Sequence, residues 1–248
     1  MESIEADAQI IAVAYDVMKA FRAKDENFVI RLNSRKLMNY LVHEYFGLNE
    51  DECYQLSKLI DRKNKISEED FISQAGELLG TRVKDLISFL ACKKLADIDK
   101  ELSNNEGVKD LEMLQKLLEE KGIKNYIFDP SLMRGFDYYT AMVFEVFDTN
   151  PINSRSLFGG GRYDDLVAIF GVEKVPGVGF GMGDVTIADY METYNLLPEV
   201  QSTTQLYICC FDSKFLRFAD EVASYLRKEG VNVAVDYTNR RIQAQIKT

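Results

Sequence analysis

Residues 138–183 read YYTAMVFEVFDTNPINSRSLFGGGRYDDLVAIFGVEKVPGVGFGMG. Through the first eleven, side chains alternate with period two. Tyr139, Ala141, Val143, Glu145 and Phe147 fall on one side, and Tyr138, Thr140, Met142, Phe144 and Val146 on the other, which predicts a strand. The polar run TNPINSRS turns the chain back through Leu157 and Phe158, predicting a hairpin. Two tracts without side chains follow: residues 159–161 are glycine, and Gly177, Gly179, Gly181 and Gly183 strip alternate positions of a further strand. In an antiparallel sheet such bare positions mark the close approach of another backbone or a flat group. Each tract runs into a helix signal, the first with Asp164 and Asp165 in its opening turn and the second over about 184–194.

Upstream, FVIRL (28–32) alternates with Phe28, Ile30 and Leu32 inward, a short strand. An amphipathic helix precedes it, with Ile4, Ile11, Tyr15, Met18 and Phe21 on one face. A second helix, RKLMNYLVHEYF (35–46), follows, capped by Asn33 or Ser34 and stopped at Gly47. Residues 48–121 carry no strand pattern. Ser67 with Asp70 forms a capping start; Val83, Leu86, Ile87 and Leu90 mark one helical face, and Leu111, Leu114, Leu117 and Leu118 another. The reading is a helical insertion within an α/β domain, with a free-standing helical bundle as the alternative. NYIFDP (125–130) restores the strand signal. From 203 the chain reads strand (TTQLYICCF), helix ended by Gly230, strand (VNVAVDY) and the start of a helix, the opening of a parallel α/β domain.

At 46% hydrophobic, the 248 residues can bury a core. No run of 18 apolar residues occurs, and the acidic MESIEADAQII start lacks the basic region of a signal peptide, so the chain reads as cytoplasmic and not a membrane protein. The net charge of −10 argues against a non-specific nucleic-acid binder. The balance is uneven, because residues 203–248 carry seven basic and five acidic side chains. Four cysteines without a CxxC pair signal neither a disulfide framework nor zinc. The single histidine, His43, follows an apolar helical stretch and reads as structural; a multi-histidine metal site is excluded.

MRGFDYYT (133–140) is the densest chemical constellation. Arg134 is a fixed fork of five donors at the entry to a strand, suited to phosphate or carboxylate, unless it pairs with Asp137. Consecutive tyrosines on a strand face opposite ways, so at most one of Tyr138 and Tyr139 is expected to line a given pocket with its hydroxyl. The glycine tracts match neither the lysine-bearing phosphate loop nor the three-glycine dinucleotide fingerprint.

RGFDYYTAMVFEVF, GGGRYDDLV and PGVGFGMG, in this order and spacing, resemble the carboxy-terminal half of the catalytic domain of histidyl-tRNA synthetases. EADAQIIAVAYDVM and FVIRLNSRKLMNYL resemble the helix, strand and helix before that family's helical insertion, and residues 203–248 resemble the start of its anticodon-binding domain. The resemblance implies a class II synthetase fold: an antiparallel sheet with flanking helices (α+β), a helical insertion and an α/β anticodon-binding domain. It divides the chain into 1–47 and 123–200 (catalytic), 48–122 (insertion) and 203–248 (partial anticodon-binding). It implies a histidine–tRNA ligase that forms histidyl-adenylate and passes the acyl group to tRNA(His), with ATP as substrate accompanied by Mg2+, no tightly bound cofactor and no protein metal site. Arg134 is then the catalytic arginine on the α-phosphate and substrate carboxylate; Tyr138, Tyr139 and Tyr163 bind histidine; Gly181 and Gly183 floor the adenosine site. The family implies a homodimer.

Two departures stand out. The third class II motif carries an arginine three residues after the last glycine of GxG, where it clamps ATP; this chain has Thr186. Another residue supplies that cation, or nucleotide binding is weakened. Nothing here matches the first two class II motifs, so the chain reads as a portion of a synthetase, its activity alone expected to be absent. A regulatory paralogue that activates an ATP phosphoribosyltransferase, and an inactive remnant, are the alternatives; the paralogue lacks an anticodon-binding domain.

Overall fold

The computed structural model describes residues 3–133, 138–199 and 201–247, and contacts divide the chain into two units, Met1–Leu197 and Pro198–Thr248. The first is built on a five-stranded sheet of β1 (Phe28–Ser34), β2 (Tyr126–Phe128), β3 (Met142–Asp148), β4 (Ser156–Arg162) and β5 (Val178–Met182), ordered β2-β1-β3-β4-β5. Only the β1–β2 pair is parallel. One face is apolar: Phe28, Ile30, Leu32, Phe144 and Val146 are all at most 1% exposed. Helices α1 (Ile4–Ala20) and α7 (Glu106–Glu120) pack on each other and over this face, and α8 (Asp184–Thr193) packs on β4.

The other face is set by register. Arg31 lies opposite Glu145, Glu145 opposite Gly159, and Gly159 opposite Gly181, one cross-strand row. The next row runs Asn33, Val143, Gly161, Gly179. The bare positions of two strands therefore merge into one smooth floor, while polar and larger side chains stand on β1 and β3. Among the described residues β5 has a neighbour on one side only, and Ile169, Phe170, Val172 and Val175 in the segment leading into it are all more than half exposed.

Between α2 (Arg35–Asn39) and α7 lie α3 (Glu50–Asp61), α4 (Glu68–Leu79), α5 (Val83–Leu90) and α6 (Lys100–Ser103). Local chemistry sets their starts. The Ser34 hydroxyl accepts from the Leu37 amide, Asn49 and Glu52 form a reciprocal capping box, and Ser67 accepts from Asp70. The side chains these helices bury, Leu56, Phe71, Leu86 and Phe89 among them, are continuous with the core under the sheet. The Phe89 and Phe128 rings meet edge to face at 6.4 Å.

The expected helix over 35–46 is not uniform: α2 gives way to a π turn, Tyr40–Tyr45. Its terminal carbonyl at Tyr45 accepts from the Arg82 guanidinium at 2.6 Å, which stacks on the Tyr45 and Phe46 rings. A partner from outside the helix thus supports the wider turn. Leu166–Phe170 is a single 3-10 turn where a helix was expected, closed by Gly171 at φ 76°. The strand read from Tyr138 begins only at Met142.

In the second unit, β6 (Leu206–Ile208), α9 (Leu216–Lys228) and β7 (Val233–Val235) form a parallel strand–helix–strand unit, as expected, followed by α10 (Ile242–Gln245). β6 is shorter than TTQLYICCF suggested because a side chain takes over the pairing. Gln245 accepts from the Cys210 amide and donates to the Cys210 carbonyl, both at 2.8 Å. Asp236 closes β7, accepting from the Thr238 hydroxyl and amide, Tyr207 and Arg240; the Thr238 bonds foremost hold its carboxyl well below the usual carboxylate range. Among the described residues no helix is long and apolar enough to cross a membrane.

Candidate active site

Three tyrosines cluster here, two of them against the glycines. The Tyr138 and Tyr139 rings lie 4.6 Å apart, and the Tyr163 ring lies 6.0 and 6.5 Å from them. The adjacent rings thus lie together and not on opposite faces, as a regular strand would place them. The opposite-face rule holds only on a pleated ladder, and residues 138–141 lie ahead of it: the Thr140 amide donates to Arg162 O and Ala141 O accepts from the Arg35 amide. The glycines make room for the rings. A Cβ at Gly161 would stand 2.9 Å from the Tyr139 ring, one at Gly177 2.6 Å from the Tyr163 ring, and one at Gly179 2.8 Å from the Tyr163 hydroxyl. The space above Gly181 is open.

The tyrosines are held by a buried charge cluster that the sequence reading did not single out. Arg162, 5% exposed, donates from Nε and Nη2 to one oxygen of Asp7 at 2.9 and 2.5 Å, from Nη2 to Ser3 O at 2.9 Å, and from Nη1 to Asp164 at 3.0 Å. The second oxygen of Asp164 accepts from the Thr140 hydroxyl at 3.0 Å. One guanidinium thus joins the start of α1, the end of β4 and the segment carrying Tyr138 and Tyr139, immediately beside Tyr163. Burial pushes the Asp7 carboxyl up despite the attraction of Arg162. Burial alone would lower the Arg162 pKa, but the hydrogen bonds to Asp7 and Asp164 raise it. The one available sign in the sequence was Asp7 itself, an acid four residues from Ile11 on the apolar stripe of α1.

Of the other residues singled out, Arg134 lies outside the described residues. Gly181 sits in the floor and Gly183 caps α8. Thr186, in the first turn of α8, donates to Leu157 O at 2.7 Å and presents no cation. His43 is far along the chain from this cluster, on the π turn, its Nδ1 3.4 Å from the Cys53 sulfur. Burial raises the Cys53 thiol, so the pair is no activated nucleophile. Among the described residues no group of three or more His, Cys, Asp or Glu side chains is placed to hold a metal.

Beyond the tyrosines the same face opens into a cavity of about 730 Å³, lined by Arg31, Lys65, Glu145, Phe147 and Arg155 among others. Arg31 stacks on Phe147 at 4.0 Å and pairs with Asp129 at 3.0 Å. The cavity's lining sets Arg31, Lys65 and Arg155 against Asp61, Asp129 and Glu145, so beside the aromatic walls and the backbone-smooth floor it offers both signs of charge, as a small zwitterion requires.

The family model described as Histidyl-tRNA synthetase matches residues 1–185, and one described as Anticodon binding domain matches residues 205–248. A histidine–tRNA ligase of Leptospira biflexa is 33% identical over 98% of this chain, and one of Pyrococcus furiosus is 30% identical over 98%. The chain spans 57% of the length of each. A solved histidyl-tRNA synthetase of Nostoc sp. PCC 7120 superposes with TM-score 0.71 at 23% identity, covering all of this chain and 61% of that one. A Bacillus halodurans structure described as an ATP phosphoribosyltransferase regulatory subunit/histidyl-tRNA synthetase superposes with TM-score 0.66 at 23% identity, covering all of this chain and 63% of its own. With the family model matching most of its length and both conserved-fold units accounted for, the chain belongs to the histidyl-tRNA synthetase family.

Proposed function

We propose that this chain is the portion of a histidine–tRNA ligase that supplies the catalytic arginine, the histidine-binding tyrosines and part of the ATP floor. The observation that carries the reading is the cluster of Tyr138, Tyr139 and Tyr163, with Tyr139 and Tyr163 set against facing glycines. Residues 1–47 and 123–200 form the catalytic part, 48–122 the insertion and 203–248 the opening of the anticodon-binding domain, which meets tRNA(His). ATP enters with Mg2+ as substrate, with Gly181 and Gly183 beneath the adenosine. The longer protein works in the cytoplasm as a homodimer, its remaining strands pairing along the open edge of β5.

A carboxylate oxygen of histidine attacks the α-phosphorus and pyrophosphate leaves; a terminal hydroxyl of the tRNA then attacks the acyl carbon and AMP leaves. The nucleophile in each step belongs to a substrate, so the protein's part is to position reactants and stabilise charge. Arg134 balances the charge that grows on the α-phosphate, and the tyrosines fix the substrate beside it. The alternative of a histidine-sensing regulatory paralogue is less well supported, because the anticodon-binding match at 205–248 has no place in it.

The reading is tested by Gly179→Ala. The added methyl displaces the Tyr163 hydroxyl, the far end of a side chain, so stability is expected to change little. The histidine concentration needed for half-maximal activation should rise about tenfold, the scale of one lost polar contact. An unchanged histidine dependence in the longer protein would remove Tyr163 from the pocket.

A further inference from the structure

We propose that Arg155 supplies the ATP-binding cation that is missing at position 186. The inference rests on the nucleotide site proposed above and assigns one of its groups. The side chain normally expected from the first turn of α8 would here come from the turn between β3 and β4.

Three observations place it. First, Thr186 and Arg155 line one small cavity of about 160 Å³, and Arg155 also lines the large cavity beside Glu145. It therefore spans from the empty cation position to the face that carries the glycine floor. Second, register brings the two positions together: Gly159 lies opposite Gly181, and Thr186 is bonded to Leu157 O at 2.7 Å, two residues from Arg155. Third, the turn is fixed while its arginine is left unused. Asp148 is occupied by the Asn150 amide, the Asn153 amide group and the Tyr194 hydroxyl, each at 2.7 Å, and Asn153 also donates to Thr193 near the end of α8.

Those bonds tie the turn to α8 and occupy Asp148. Arg155 itself is exposed and makes no ion pair among the described residues, Asp189 in the same cavity included. A guanidinium on a fixed turn, without an ion pair among the described residues and reaching two neighbouring cavities, is available to a phosphate.

The test is equilibrium dialysis of labelled ATP and labelled adenosine against a chimera in which this chain replaces the matching region of the Leptospira biflexa ligase, and against its variants. Arg155→Ala should weaken ATP about 10–100-fold, the scale of a charged hydrogen bond, and leave adenosine unchanged. Arg155→Lys should fall between, because it keeps the charge and loses the fork. Thr186→Arg added to Arg155→Ala should recover most of the ATP affinity. If Arg155→Ala binds ATP as the unaltered chimera does, or loses adenosine equally, the inference is overturned while the nucleotide site stands. If the unaltered chimera binds neither ligand, the nucleotide site falls and the inference with it.

Discussion

Asp7→Ala is expected to destabilise the first unit by about 3 kcal/mol, the lower end of the cost of breaking a buried ion pair. The carboxylate is 4% exposed and accepts two guanidinium hydrogens, so its removal strands donors where water does not reach. The lower end applies because Asp164 keeps its own bond to Arg162. For a unit of this size the melting temperature should fall by about 6–12 °C. Asp7→Asn, which keeps one acceptor, should lose less. The double variant Asp7→Leu with Arg162→Leu should cost less than the two single changes added together, since no charge is left alone. Calorimetry of the four proteins checks this; additive losses would mean that the cluster does not act as a unit. Because the Arg162–Asp164–Thr140 link does not run through Asp7, the paired tyrosines should keep their spacing in Asp7→Ala.

Arg134→Ala should lower adenylate formation about 10²–10³-fold, the cost of losing one preorganised group at a developing charge. The substrate carboxylate brings its own electron pair, and no described residue near the tyrosines offers a nucleophile, so charge stabilisation is what remains for the protein to contribute. Arg134→Lys should recover only part of the rate, because a point charge does not reproduce a fork that meets phosphate and carboxylate together. The rate is read in single-turnover reactions of the longer protein. A rate matching the unaltered enzyme would take Arg134 out of the mechanism.

What the sequence disclosed was whatever depends on neighbours in the chain. The alternation from Met142 to Phe147, the inward trio Phe28, Ile30 and Leu32, and the caps at Ser34 and Ser67 all follow from local periodicity or one side chain reaching three residues along. The bare strand positions were legible as a close approach, and Tyr139 and Tyr163 are what approaches. Two things were hidden. The pleat stops before Tyr139, because Arg162 and Arg35 pair with the backbone at Thr140 and Ala141, and neither partner is close in sequence. Asp7 meets Arg162 across 155 residues, and only its place on a buried stripe hinted that a cation had to come to it. Gln245 acts the same way on Cys210, closing a strand from 35 residues away.

The most direct measurement is histidine-dependent ATP–pyrophosphate exchange by a chimera in which this chain replaces the matching region of the Leptospira biflexa ligase. The account predicts exchange that requires histidine, is not supported by other amino acids and collapses in Arg134→Ala. A folded chimera that catalyses no exchange, or one that exchanges equally well with phenylalanine, would contradict it.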